Sequence, residues 1–230
     1  METTLDNGFL KTENVYKMKF YLMWANHDVL NLWDTRLADI KENNVIWTGK
    51  VDREEFKKIC KRNIEKYFKH PQYYKIDGKP VFMIYDLSQL IAGLGGIDET
   101  ANALEYFREE TVRSGFTSGT HYQFCHFTNV DEDYNKVMKS VEKEWKRIEK
   151  TYDFPYYPHI SVGWDNSSRT GKSAVIKNNT PKNFEKTLLK AREYADSHPK
   201  QVPLITINSW NEWTETSFLQ PCNLYGYGYL

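Results

Sequence analysis

The chain has 230 residues, with 31 Lys and Arg against 31 Asp and Glu, and so carries no formal net charge. Aromatic residues make up 15% of it (16 Tyr, 12 Phe and 7 Trp), which excludes a disordered chain and supports a substantial core. A balanced charge with no basic stretch excludes the electrostatic footprint of a nucleic-acid binder.

No membrane span is expected. The most apolar stretch, residues 80–97, is broken by Asp86, Gly93, Gly95 and Gly96 and falls short of roughly 18 uninterrupted apolar residues. The first residues lack the basic start and apolar run of a secretory leader, and the compartment is left open. Cys60, Cys125 and Cys222 are far apart and form no CxxC pair, so neither a disulfide framework nor a zinc site is expected.

An apolar run at 19–26 (KFYLMWAN) predicts the first buried strand. Asp52 and Glu55 form a capping box for a helix carrying Phe56, Ile59, Cys60 and Ile64. The turn IDGKP at 76–80 leads into a second strand at 81–85. Asp98 is expected to cap a helix with Leu104, Phe107 and Val112 on one face, closed by Gly115. HYQFCHF at 121–127 predicts a third strand, on which Tyr122, Phe124 and His126 would share a face. The next helix shows the clearest stripe, with Tyr134, Val137, Met138, Val141, Trp145, Ile148 and Tyr152. Strands at 159–164 and 204–208 bracket a helix opened by Thr180 and Pro181 and running to about His198.

Alternating strands and helices, with strands apolar on both faces, predict a parallel α/β fold. An open doubly wound sheet and a β/α barrel both fit. No Gly-rich phosphate loop follows a strand, so a nucleotide-binding site has no support. Polar and aromatic residues crowd the C-terminal ends of the strands instead, where a β/α barrel places its active site, and a TIM-barrel-like fold is preferred.

The densest chemical signal is INSWNEWTETSFLQP at 207–221. Glu212 and Glu215 follow a strand directly and are flanked by Trp210, Asn211 and Trp213. Glycoside cleavage needs one carboxylic acid for the leaving oxygen and a second carboxylate as base or nucleophile. Aromatic walls raise a carboxyl pKa by desolvation, which suits the acid. Eighteen glutamates in the chain produce this spacing more than once by chance, so position carries the weight. Other strand ends offer sugar contacts: Trp24, Asn26 and His27; Tyr122 and His126; and Trp164, Asp165 and Arg169. Each has a plainer reading. Trp24 could pack under a loop, Asp165 could pair with Arg169, and His126 could be a core histidine. No histidine spacing suits a metal, and neither metal nor cofactor is expected.

The segment SWNEWTETSFLQP, with YGYGYL after it, resembles the closing motif of the WbsX-type, family-99-like glycoside hydrolases, relatives of the endo-α-mannosidases. LMWANHD (22–28), HPQYYKIDGKPVFMIYD (70–86) and VGWDNSSRT (162–170) resemble the same family in order. The resemblance implies a carbohydrate substrate of mannose type or a related polysaccharide. It implies that Glu212 takes the proton of the sugar 2-hydroxyl and that Glu215 is general acid, then base. Configuration would be retained through a 1,2-anhydro sugar. The chain departs from the pattern at two places. Thr216 stands where the relatives usually carry glycine, and Gln220-Pro221 where they often carry Glu-Pro. A full barrel takes about 250 residues and eight strands. Five strands are predicted here, so residues 1–230 are expected to form one domain, an incomplete barrel truncated at its N-terminal side relative to the family. A non-catalytic glycan-binding remnant and a surface-polysaccharide glycosyltransferase are the competing readings.

Overall fold

A computed structural model describes residues 2–30, 45–111, 118–171 and 174–230. These fall into two compact units, one holding 2–30 and 45–111, the other 118–171 and 174–230.

In the first unit, β1 (Leu22–Trp24) is followed by the short antiparallel pair β2 (Val29–Leu30) and β3 (Val45–Trp47). Helix α1 (Arg53–Asn63) starts where expected, with the Asp52 carboxylate accepting from the Glu55 amide at 2.8 Å. The expected turn is a tight hairpin between β4 (Lys75–Ile76) and β5 (Lys79–Pro80). Asp77 and Gly78 both take positive φ there (50° and 77°), the geometry that Asp-Gly favours. Strand β6 (Phe82–Ile84) then pairs in parallel with β1, in the register Leu22 to Phe82, Met23 to Met83 and Trp24 to Ile84. The core beneath holds Phe56, Cys60, Tyr67, Phe68, Tyr73, Leu90, Ala103 and Phe107.

The sequence predicts one helix after β6, and the structure has two. Asp86 caps α2 (Leu87–Leu94), accepting from the Gln89 amide at 3.0 Å. Gly95 and Gly96 follow with φ of 96° and 133°, a reversal that side-chain-bearing residues resist. Helix α3 (Ile97–Glu110) therefore begins at Gly96, and Asp98 sits in its first turn rather than at its cap. Val112 and Gly115 lie outside the described residues.

In the second unit the predicted strand at 121–127 is not a strand. Phe124–His126 form a 3-10 turn, because other partners take the amides that a ladder would need. The Phe124 amide donates to Gln123 Oε1 at 2.8 Å, and the His126 amide to the Gln123 carbonyl at 3.2 Å. Phe124 is buried while Tyr122 and His126 are exposed, so the shared face does not form. Helix α4 (Tyr134–Thr151) follows its predicted stripe up to Ile148; Tyr152 lies past its end and is exposed. Strand β7 (His159–Ser161) is wholly buried. A single-turn helix α5 (Ser167–Thr170) and helix α6 (Pro181–Asp196), capped by Thr180 with Pro181 in its first turn, lead to β8 (Thr206–Asn208). Strands β7 and β8 pair in parallel, His159 with Thr206, Ile160 with Ile207 and Ser161 with Asn208. The core holds Phe124, the α4 stripe, Tyr156, Ile160, Val162, Ile176, Phe184 and Ala191. A hairpin of β9 (Asn211–Glu212) and β10 (Ser217–Phe218), joined by a 3-10 turn at Trp213–Glu215, ends the run.

The fold is thus mixed α/β with two parallel strand pairs, each joined through helices. Among the described residues the strands pair two by two and do not close a barrel. No helix among them is long and apolar enough to cross a membrane.

Two expectations follow. His159 is buried between Thr206 Oγ1 (3.0 Å from Nδ1) and Ser161 Oγ (3.1 Å from Nε2). Burial, reinforced by His121 and His126, pushes its imidazole from 6.5 down to about 3. The native state therefore refuses a proton that the unfolded chain accepts below pH 6.5. Stability is full above that pH and falls toward acid by about 1.4 kcal/mol per unit, or about 2 kcal/mol at pH 5 from this residue. Urea melts at pH 7 and pH 5 should show that loss, and His159→Gln should shrink it. Thr216 has φ 52° and ψ 33°, a left-handed conformation that strains a β-branched residue, at the position where the resemblance leads one to expect glycine. Thr216→Gly should raise stability by roughly 0.5–1 kcal/mol, read as a higher urea midpoint; a lower midpoint would show that the strain is absent.

Candidate active site

The site is built on the end of β8. Asn208 and Ser217 are buried, as is Gln123, which reaches them from 85 positions upstream. Gln123 Nε2 donates to Asn208 Oδ1 at 2.8 Å, and Ser217 Oγ lies 2.8 Å from the same oxygen and 2.9 Å from the Asn208 carbonyl. Ser209 Oγ donates to the Ser217 carbonyl at 2.8 Å and accepts from the Glu212 amide at 3.2 Å. These bonds tie β8 to both arms of the β9–β10 hairpin. Buried polar groups hold a structure when they find partners; here Asn208 Oδ1, its carbonyl, Gln123 Nε2 and Ser217 Oγ do, while Asn208 Nδ2 makes no hydrogen bond among the described residues.

Helix α5 supplies the cation. Asp165 Oδ1 opens it by accepting from the Ser167 amide (2.9 Å) and hydroxyl (2.5 Å), and Gly171 closes it with φ 74°. The helix is stitched to the hairpin at two points: the Asp165 amide donates to the Glu215 carbonyl at 2.8 Å, and Ser168 Oγ to the Thr214 carbonyl at 2.9 Å. The approach is close at Gly163, where a Cβ would stand 2.5 Å from the Thr216 carbonyl oxygen. From α5 the Arg169 guanidinium spans both carboxylates. Its Nη1 donates to Glu215 Oε1 at 2.7 Å and its Nη2 to Glu212 Oε1 at 2.9 Å. Thr214 Oγ1 closes the ring, accepting from Arg169 Nη2 and donating to Glu212 Oε1 at 2.6 Å.

Glu215 is the more enclosed carboxylate, its side chain 14% exposed against 35% for Glu212. Burial raises the Glu215 carboxyl above its ordinary pKa, helped by Glu212 and opposed by Arg169. Tyr122 interacts with Asn208 and lies within the field of Glu215, Glu212 and Arg169, so it belongs to the same cluster. Burial raises its phenol in turn. Trp213 stacks on Phe218 at 3.8 Å with Nε1 donating to Gln220 Oε1 at 2.7 Å, so the departure at Gln220 serves to hold this indole. Trp210 and Asn211 are exposed on the hairpin, and Trp164 packs half-buried against the core. His126 is exposed, its ring 6.1 Å from that of Tyr122, so it is no core histidine.

In the first unit, Asn26 is buried and its amide ties two strand ends: Nδ2 donates to the Asp86 carbonyl at 2.6 Å and Oδ1 accepts from the Asp86 amide at 2.8 Å. Trp24 is half-buried against Phe56 at 6.2 Å. His27 is exposed, with Nδ1 2.9 Å from the Asp28 carbonyl oxygen and its ring edge-on to Tyr85.

The structure thus brings Glu212, Glu215, Arg169 and Tyr122 together in one cluster. Sequence reasoning missed Thr214, Ser168, Gln123, Asn208 and Ser217. Thr214 lay in view between the two glutamates, whereas no local signal links Gln123 to Asn208. Among the described residues no group of three His, Cys, Asp or Glu side chains could hold a metal ion.

Comparison with known proteins places the chain in a family. The family model described as glycosyltransferase WbsX matches residues 1–125 and 99–230. The uncharacterized protein WxcX of Xanthomonas campestris pv. campestris, in strains B100 and ATCC 33913, is 22% identical over 93% of this chain and 34% of its own length. The chain therefore spans about a third of these curated relatives. The family-99 endo-α-mannosidase of Bacteroides thetaiotaomicron superposes with a TM-score of 0.50 at 17% identity, over 79% of this chain and 57% of that one. Its complex with bis-tris-propane gives 0.49 at 16%, over 79% and 60%. Likeness at that identity concerns the fold. The family match runs through both units and takes in the carboxylate hairpin, and on that ground the chain belongs to the WbsX family.

Proposed function

We propose that this chain carries the acid/base machinery of an enzyme that cleaves glycosidic bonds in a mannose-type or related bacterial polysaccharide. The observation that carries the reading is the pair Glu212 and Glu215, held on one hairpin by one guanidinium. Hydrolysis needs two carboxyl groups in different protonation states at one sugar. Burial raises Glu215, which suits the proton donor.

Glu212 would take the proton of the 2-hydroxyl while that oxygen attacks C1, and Glu215 would protonate the departing oxygen. The 1,2-anhydro sugar would then be opened by water at C1, with Glu215 taking the water proton and Glu212 returning its proton to the 2-oxygen. Two inversions retain configuration. The exposed rings of Trp210, Trp213 and Tyr122 supply faces for sugar stacking. Trp164, Asp165, Asn211 and His126 complete the proposed contacts in the second unit; in the first, Trp24 and His27 stay as proposed sugar contacts of that unit by itself, and Asn26 is given over to the Asp86 backbone. A TIM-barrel-like architecture for the domain is part of the same proposal. It is supported by the two parallel strand pairs joined through helices and by the fold-level likeness to the endo-α-mannosidase.

The family's description favours a second reading, sugar transfer from a nucleotide donor. The absence of a Gly-rich phosphate loop in the sequence argues against it, and transfer from labelled sugar nucleotides by the purified protein would establish it.

Mannose-type oligosaccharides should be cleaved by the wild-type protein, and Glu212→Gln and Glu215→Gln should each lower kcat by about 10²–10⁴-fold while calorimetry shows glycan still bound. Turnover unchanged in both variants would overturn the assignment, and binding without any turnover would leave a glycan-binding protein. An aryl mannoside whose leaving group needs no proton should restore rate to Glu215→Gln and not to Glu212→Gln. The alkaline limb of the rate profile should lie above the ordinary carboxylate range, because the raised Glu215 must keep its proton to act as acid.

A further inference from the structure

We infer that Arg169 is a positioning residue rather than a sugar ligand: with Thr214 it grips Oε1 of Glu212 and Oε1 of Glu215, leaving Oε2 of each carboxylate for the substrate. The inference rests on the glycoside-cleaving reading of the same site and names its reacting atoms.

The bonds themselves divide the oxygens. Every hydrogen bond made by the two carboxylates among the described residues falls on Oε1: Arg169 Nη1 on Glu215, and Arg169 Nη2 and Thr214 Oγ1 on Glu212. A planar guanidinium with fixed nitrogens sets both the distance between the two Oε1 atoms and the plane in which they lie, which a lysine ammonium cannot do. The root of the guanidinium is equally fixed. Asp165 and Ser168, both just before it in the chain, bond the backbone of Glu215 and Thr214. An arginine side chain only 19% exposed has both terminal nitrogens engaged on the two carboxylates and Thr214.

The charge balance points the same way. Two carboxylates three residues apart repel, and the cation between them opposes that repulsion. The groups facing Glu215 are Arg169 from α5, Glu212 from the hairpin, and Tyr122 and Cys125 from the segment before α4. Of the charges acting on Glu215, Arg169 lowers its pKa and Glu212 raises it, so loss of Arg169 moves Glu215 further up.

The test reads the carboxyls directly. Protein carrying 13C at the glutamate side-chain carboxyls is titrated by NMR, with Glu212→Gln and Glu215→Gln assigning the two signals. In Arg169→Met the Glu215 midpoint should move upward, and in Arg169→Lys it should move less. An unmoved Glu215 midpoint in Arg169→Met overturns the inference; where that variant does not fold, an Arg169→Lys protein with Glu215 unmoved and kcat unchanged does so. On glycan, both variants should lose about 10²-fold in kcat with KM little changed, and guanidinium ion should restore part of the rate to Arg169→Ala. A raised KM at constant kcat is the signature of a sugar ligand and would overturn the positioning role. The titration needs no turnover, so wild-type protein that cleaves nothing sinks the hydrolase reading alone, while an unmoved midpoint sinks this one.

Discussion

The amide of Asn208 is the constraint on which the second unit turns. It stands at the end of β8, buried, where the chain must leave a parallel pair and enter a hairpin that presents charge to solvent. Its Oδ1 receives Gln123, while Ser217 meets both that oxygen and the Asn208 carbonyl. One buried amide therefore joins the end of β8 to the hairpin nine residues on and to a segment 85 residues upstream. Leaving that buried oxygen unpaired would cost roughly 1–3 kcal/mol, so its bonds to Gln123 and Ser217 favour one arrangement of the three pieces, although Asn208 Nδ2 itself makes no hydrogen bond among the described residues. The first unit uses the same device in a simpler form. Asn26 follows β1 and closes a two-bond ring on the Asp86 backbone, fixing the start of α2 against the end of a neighbouring strand.

Above that scaffold, electrostatics decides how the hairpin sits. Exposed ion pairs contribute little, about 0–1 kcal/mol, because water screens them. The Arg169–Glu215 pair is different, with side chains 19% and 14% exposed and a separation of 2.7 Å. Partly enclosed charges are costly to leave alone, so each of the three groups depends on the other two. Thr214 adds a neutral donor to the more open carboxylate. The result is an asymmetric pair, one carboxyl enclosed and raised, the other better solvated, built from residues only three apart.

That asymmetry bears on the backbone too. The 3-10 turn at 213–215 brings both carboxylates to one guanidinium, and the left-handed Thr216 returns the chain to β10 with the Thr216 amide bonding the Trp213 carbonyl at 3.1 Å. Gly163 is needed opposite, since any side chain there would meet the Thr216 carbonyl. Strain at Thr216 and space at Gly163 together let α5 and the hairpin approach closely enough for Arg169 to span the pair.

Much of this was legible in the linear sequence because it is set locally. The caps at Asp52 and Thr180, the Asp77-Gly78 turn, the buried stripe of α4 and four of the five expected strands depend on spacing that a short window contains. The catalytic candidates were legible as well, since Glu212 and Glu215 lie beside each other in an aromatic motif. The two local misreadings have local causes. Helix α2 was not expected, and the paired glycines after it start α3 ahead of the expected Asp98 cap, while side-chain acceptors at 121–127 took amides that a strand would have used. What only tertiary structure decided is partnership across distance. Gln123 meets Asn208 over 85 positions, and Arg169 meets Glu212 and Glu215 over 43 and 46. Periodicity reports which face of an element is apolar, but a hydrogen bond between distant side chains leaves no period in the chain. It exists only after the parallel pair and the hairpin have brought those residues together.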